Sequence, residues 1–441
     1  MEDPEIHVNR TKLAAMTAAL IFTHSSFAQT LEQSIAITLA TNPNLKSAFN
    51  DYMSYIKQHE SVNGAYLPTI DLDAGIGYEK VNPAQGESSN LNRKEATLSL
   101  KQLIWDGSAT LNNMDRTAAE AESMRYQLLS DAQDKALEVT QIYLDAVKAE
   151  EILALSESNL AVHKKIYKDI RKRAESGIGS TADLSQVEAR IAKAHGNLLA
   201  AQNNIFDTHT QFYRIVGQSP QGLIFPRANV KALPLSLGDA LTQANQNHPV
   251  LKVSIHDVDA ARFQYEQSKG VNLPTVSFEA AQIWRDDAGG IEGNSDELSA
   301  MIRMRYNLYN GGSDSANTER SAYQLNKAKD LRDRAYRTVE EGLKLSWSAL
   351  DLTLQQKEFL ADHVDSAAQT VIAYEKQYRI GKRTLLDLLN TENELFEARK
   401  SYVDAHFAEQ FAKYRVMNAT GTLLNALLID MPKEWHRQVE Y

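Results

Sequence analysis

Thr69-Ile70-Asp71-Leu72-Asp73-Ala74-Gly75-Ile76-Gly77-Tyr78-Glu79 alternates apolar and polar residues without a break. A period of two puts one class on each face of a strand. Beyond a polar loop from Asn82-Pro83 to Asn92, Ala96, Leu98, Leu100 and Ile104 continue the alternation against Glu95, Thr97, Ser99 and Lys101. A second pair follows, with Val276, Phe278, Ala280 and Trp284 before a Gly-rich loop expected at Asp286 to Ser295. After it, Leu298, Ala300, Ile302, Met304 and Tyr306 alternate with Ser299, Arg303, Arg305 and Asn307. About 9–11 tilted residues cross a bilayer as a strand, greasy on one side and wet on the other. Tyr66, Tyr78, Trp105, Trp284, Tyr306 and Tyr309 lie near the strand ends, where interfacial aromatic girdles form. A soluble sandwich would show the same alternation, with its polar residues as an ordinary solvent face.

Around these strands the text is written twice. Asn42-Pro43 and Leu67-Pro68 recur as His248-Pro249 and Leu273-Pro274, both 206 positions on (249 − 43; 274 − 68). Trp105-Asp106-Gly107 parallels Tyr309-Asn310-Gly311, and Asp183-Leu184 parallels Asp387-Leu388, both at 204. The period is too long for a solenoid and implies one fold unit used twice. The expected organisation is a signal peptide over 1–28, a first repeat over 29–217, a Pro-bearing linker over 218–234, a second repeat over 235–421 and a C-terminal tail over 422–441.

Each strand pair is followed by a Pro-free helical stretch, about Ser108 to Glu175 and about Ser313 to Arg379. At ~1.5 Å per residue each reaches ~100 Å, too long for a compact globule. Leu129, Ala132, Ala136, Val139, Tyr143 and Ala146 step by three and four, and Ile142, Ala149, Leu153, Ser156 and Leu160 extend a second seam. Two seams on one helix call for neighbours on both sides, as in a helical cylinder; a two-helix coiled coil or simple bundle is the plainer alternative. Four strands cannot close a barrel, and open edges in hydrocarbon cost several kcal/mol per unpaired group. A membrane setting therefore demands several copies, three of which supply twelve strands.

Arg10 and Lys12, the apolar run Leu13 to Phe22 and Ser26-Phe27-Ala28 before Gln29 read as a secretory signal. The chain has no cysteine, which excludes disulfides, thiolate metal sites and an N-terminal lipidated Cys. With 47 Lys+Arg against 57 Asp+Glu, nucleic acid is excluded as a main partner. No catalytic constellation, metal-ligand pattern or cofactor motif occurs, so the expectation is no enzyme, no cofactor and no metal.

The helix–hairpin–helix plan resembles the TolC family of outer-membrane efflux and secretion channels, over about Thr30 to Leu428. Its most specific stretch runs from Tyr378 to Asn390, similar to the family's turn at the periplasmic tip of the second helical hairpin. The resemblance implies a mixed α/β membrane protein. Long α-helices would form a periplasmic α-barrel, and a homotrimer would form a twelve-stranded β-barrel in outer-membrane lipid. It implies a periplasmic adaptor (membrane fusion) protein docked at the tip, an inner-membrane ABC-type pump and an exported substrate. Residues 64–116 and 176–211 look most like the branch serving type I secretion of large adhesins. The alternatives are the outer-membrane component of a multidrug efflux pump or, in another class, a periplasmic adaptor or helical scaffold.

The resemblance places Ser176, Gly177, Ile178, Gly179, Ile380, Gly381 and Lys382 at an adaptor-docking tip. It places Asp387 in a ring of carboxylates lining the tunnel mouth. Asn390 stands where the family often has a second Asp, so that ring would be uncharged. Asp183, Tyr378 and Arg383 match residues that tie the mouth shut, although Ala182 replaces a neighbouring family hydroxyl. Asp71, Asp73, Glu79, Glu95, Lys101, Glu279, Arg303 and Arg305 would line the barrel lumen, a mixture of signs that suits a wide pore of little selectivity.

Overall fold

A computed structural model describes residues 29–177 and 180–436. The signal-peptide residues, and Ile178 and Gly179 of the expected tip, lie outside the described residues. Two short helices open the fold, α1 (Leu31–Thr41) and α2 (Pro43–Asn63). Thr30 starts α1 with a capping box to Gln33. Asn42 ends it and caps α2, with Pro43 at the first helical position, where a missing N–H costs nothing. Strands β1 (Thr69–Val81) and β2 (Ser89–Trp105) lead to α3 (Ala109–Glu175) and its return partner α4 (Thr181–Val216). The series then recurs as α5 (Leu237–Asn247), α6 (Pro249–Gly270), β3 (Thr275–Ala288), β4 (Ile291–Arg305), α7 (Ser313–Arg379) and α8 (Leu385–Ala419). Both long helices have 67 residues, and α4 and α8 have 36 and 35.

The strands form one antiparallel sheet in the order β1-β2-β3-β4, so the two halves meet at β2–β3. A bulge at Leu103/Trp105 breaks the alternation at the foot of β2. The expected loop from Asp286 to Ser295 is corrected to a tight turn at Gly289-Gly290, with Ala288 paired to Ile291. Gly289 and Gly290 take φ of 67° and 80°, the left-handed geometry that suits a two-residue hairpin turn.

The largest core surrounds the upper part of α3. Ala132, Ala136, Val139, Tyr143, Ala146 and Ala149 are at most 1% exposed there, and their small side chains let α1, α2 and α8 approach closely. The connector after α4 is strapped to this core. Phe225 stacks on His406 with ring centroids 4.6 Å apart and meets the edge of Phe407 at 5.1 Å. The hydroxyl of buried Tyr143 lies 2.7 Å from the Gln29 carbonyl and 2.8 Å from that of Ile224, whose N–H donates to it at 3.0 Å. The segment expected as a tail packs here too: short helix α9 (Leu423–Ala426) buries Leu423 and Leu424, and Trp435 joins them.

Candidate functional site

The sheet register sorts side chains cleanly. Ile70, Leu100 and Ala280 share a row with Ala300, and Leu72, Leu98 and Gln282 share one with Leu298. Ile76 is 81% exposed, Leu298 77% and Ile302 72%, values that belong to a surface awaiting an apolar medium. The opposite face is wet and ion-paired. Arg93 bonds Glu79 at 2.9 Å and Glu95 at 2.5 Å, and Arg303 bonds Glu279 at 2.6 Å. Asp71, Asp73, Lys101 and Arg305 fall on this same face by register. At the hairpin-turn end of the apolar face, Lys94 pairs with Asp286 at 3.0 Å, closing the greasy band with a polar rim. Among the described residues no helix layer covers either face, and the outer edges of β1 and β4 have no partner strand. Among the described residues no helix is long and apolar enough to cross a membrane.

The far end of the long helices forms the second feature. Gly177 and Gly381 both take φ of 75° just beyond α3 and α7, a conformation strained for residues with a Cβ. Ser176 closes α3, Ile380 closes α7 with 67% of its surface exposed, and Lys382 is exposed. Just behind, Ile170, Val187, Leu385 and Leu389 are buried together and hold the two hairpins side by side.

Among the described residues no hydrogen bond or ion pair joins Asp183, Tyr378 and Arg383 of the expected latch to one another, although the charge of Asp183 acts on Tyr378. The Tyr378 hydroxyl instead accepts from Arg173 Nη1 at 3.4 Å, with the guanidinium 5.2 Å from its ring centroid. Burial pushes the Tyr378 hydroxyl pKa up, and Arg173 opposes this. Arg383 donates to Gln377 at 3.2 Å and covers the Tyr374 ring at 4.4 Å. Asp387 completes a capping box with Thr384, and those hydrogen bonds hold its carboxyl below the usual range, so it stays ionised.

Asn390 is held by a residue that sequence reading missed: Arg190 of α4 donates to its Oδ1 at 2.7 Å. Three residues on along each helix, Lys193 donates to Asn393 at 3.0 Å. The two bonds form a ladder between α4 and α8 near the tip. Beneath them His163 is 3% exposed; burial first, then Arg190 and Lys193, lower its pKa. A groove of about 490 Å³ runs between α3, α7 and α8, lined by Lys165, Asp169, Arg173, Glu375, Tyr378 and Glu392 among others. Burial, followed by Glu375, pushes the Glu392 carboxyl up. Nothing in the sequence marked Arg190 or Lys193, because charges three apart on a helix ordinarily form a solvated face. No group of His, Asp and Glu among the described residues could hold a metal ion.

Against known proteins, the family described as outer membrane efflux protein matches twice, over residues 35–218 and 240–422. The outer membrane efflux protein BepC of Brucella suis is 27% identical over 327 residues, covering 74% of this chain and 72% of that protein. The outer membrane protein TolC of Escherichia coli is 23% identical, covering 91% and 84%. The alkaline protease secretion protein AprF of Pseudomonas aeruginosa is also 23% identical, covering 92% and 87%. A membrane protein of Pseudomonas aeruginosa shares the fold at a TM-score of 0.80 and 15% identity, covering 89% of this chain and 90% of that one.

Proposed function

The chain belongs to the outer membrane efflux protein family, and from that premise we propose that three copies of it form a passive outer-membrane duct, gated at the periplasmic tip, for type I secretion of a large protein such as an adhesin. As a member of the family it is an outer-membrane channel protein with a helical periplasmic part. The observation that carries the trimer is the bare sheet. It is apolar on one face and ion-paired on the other, with two open edges. In hydrocarbon each unpaired edge group costs several kcal/mol, so one chain cannot be the finished wall. Likeness to a protease secretion protein supports the protein-export reading. Likeness to BepC, an efflux protein by name, favours the second reading, the outer-membrane component of a multidrug efflux pump. Deleting the gene separates the two. Loss of a surface adhesin with unchanged drug sensitivity supports protein export, and the reverse pattern supports efflux.

In this reading the groove and tip face a periplasmic adaptor coupled to an inner-membrane pump. The Asp387 carboxylates ring the mouth, and Asp183, Tyr378 and Arg383 act with the Arg173, Arg190 and Lys193 contacts to hold it narrow. Arg190→Ala should raise single-channel conductance in planar bilayers several-fold, because one exposed charged link is worth about 1 kcal/mol. Unchanged conductance in both Arg190→Ala and Arg383→Ala would remove the gate from this tip.

A further inference from the structure

His163 of α3 is an imidazole sealed into the seam between the two helical hairpins. It is 3% exposed, and its Nδ1 is buried with no hydrogen-bond partner. An unpaired buried nitrogen costs stability, and packing alone does not require one here. The offset of 204 that carries α3 onto α7 puts Ala367 at the matching position. Ala367 is buried too, against Val371, Leu395 and Ala398. On the first hairpin the counterparts of those three are Tyr167, Ile191 and Ala194. A small apolar side chain therefore fills this position in one repeat, and a titratable ring fills it in the other. The ring lies on the helix that has a second neighbour: α8 packs on α3 alongside α4, where Ile170 meets Leu385 and Leu389.

The charges that act on His163 are both positive. Arg190 and Lys193 of α4 lower its pKa, after burial, and no carboxylate offsets them. From α8 the seam is closed by Asn390 and Asn393, neutral side chains held by those same two cations at 2.7 and 3.0 Å. The carboxylates of α8 are engaged elsewhere. Glu392 lines the groove bordered by Glu375 and Arg379 of α7, Glu394 lies 3.5 Å from His363 of α7, and Glu397 is exposed. On α4 Glu188 is exposed, and on α3 Lys164 and Lys165 are exposed cations.

We propose that His163 is an acid sensor for the tip, whose protonation drives α4 away from α8, breaks the Arg190–Asn390 and Lys193–Asn393 ladder and widens the mouth. This sensor rests on the gated tip proposed above and supplies its regulation. An imidazolium in the closed seam has two cations beside it, no carboxylate to pair with and no access to solvent. Once the hairpins part, water reaches the ring and its pKa returns toward the ordinary ~6.5. The closed tip holds that pKa down, so the parted tip binds the proton more tightly. Acid therefore shifts closed toward open, beginning as pH falls through ~6.5, and a difference of one pKa unit between the two states is worth up to about tenfold per chain. Asp387 does not compete, because its hydrogen bonds to Thr384 keep it ionised over this range. Glu392, pushed up by burial and by Glu375, is a second titratable group on the same stretch of α8 and serves as the control.

Planar-bilayer recordings of the assembled protein at pH about 7.5 and about 5.5 bracket the histidine range and test this. In the wild type, conductance should rise at least about threefold on acidification. His163→Gln and His163→Ala should flatten that rise, and Glu392→Gln should keep it. Alanine is what the second repeat carries at this position, and each variant is first shown to run as a heat-modifiable trimer. A rise that persists undiminished in both His163 variants would overturn the sensor, as would a rise lost only in Glu392→Gln. The gate itself is judged at neutral pH. Higher conductance in Arg190→Ala beside a wild type indifferent to pH removes the sensor alone. Unchanged conductance in Arg190→Ala and Arg383→Ala removes the gate, and the sensor with it.

Discussion

Gly270 and Gly107 touch backbone to backbone where α6 and the β2–α3 junction cross. A methyl group on Gly270 would also meet the Ala109 N at 3.0 Å, and neither backbone atom can rotate away. Gly270→Ala should therefore destabilise the folded chain by about 1–3 kcal/mol, read as a lower unfolding temperature in detergent. Gly64→Ala, with open space around it, should leave the fold of the single chain intact. His163 is a second single-residue device. Its folded pKa is depressed, so the unfolded chain binds the proton more readily, and stability falls as pH drops through the ordinary histidine value near ~6.5. His248 and His406 are depressed in the same direction, chiefly by burial. His163→Gln should lessen the acid sensitivity between neutral and mildly acidic pH, measured as the pH dependence of the melting temperature. An identical dependence in wild type and variant would exclude His163 as a contributor.

At the level of elements, the connector between the halves is a strap, not a tether. Its hold is the Tyr143 hydroxyl, buried and pushed up to about 12, which ties Gln29 and Ile224 to the middle of α3. Tyr143→Phe leaves those backbone groups unpaired and should cost about 1–2 kcal/mol, visible as faster proteolysis within 218–234 while the long helices stay protected. The strand and helix positions were legible because their periods of two and 3.6 run long enough to exclude each other. The loop expected over 286–295 was too long for the turn at Gly289-Gly290, because glycines signal a loose loop and a tight turn alike. The 422–441 stretch read as a tail because four residues of α9 are too short to show a period, although Leu423 and Leu424 sit in the main core.

For the whole molecule, the decisive property is a sheet with two solvents. Leu98 and Ser99 are neighbours on central strand β2 but face opposite sides. Leu98→Lys should impair insertion by about 2–4 kcal/mol, whereas Ser99→Lys on the wet face should be tolerated. The readout is the amount of heat-modifiable protein in the outer membrane; equal losses in both variants would count against a lipid-facing apolar side.

What followed from the residues alone was what is periodic or repeated: strand faces, the lengths of the long helices and the doubling of the unit. Those properties depend on neighbours within a few positions, or on text that repeats. Only the folded chain decided who meets whom at the tip. Arg190 reaches Asn390 and Arg173 reaches Tyr378 across about two hundred residues, because the small core of Ile170, Val187, Leu385 and Leu389 just behind the tip holds the two hairpins side by side. A hydrogen bond between separate hairpins leaves no trace in sequence spacing, and so the Arg190–Asn390 and Arg173–Tyr378 contacts were not legible in it.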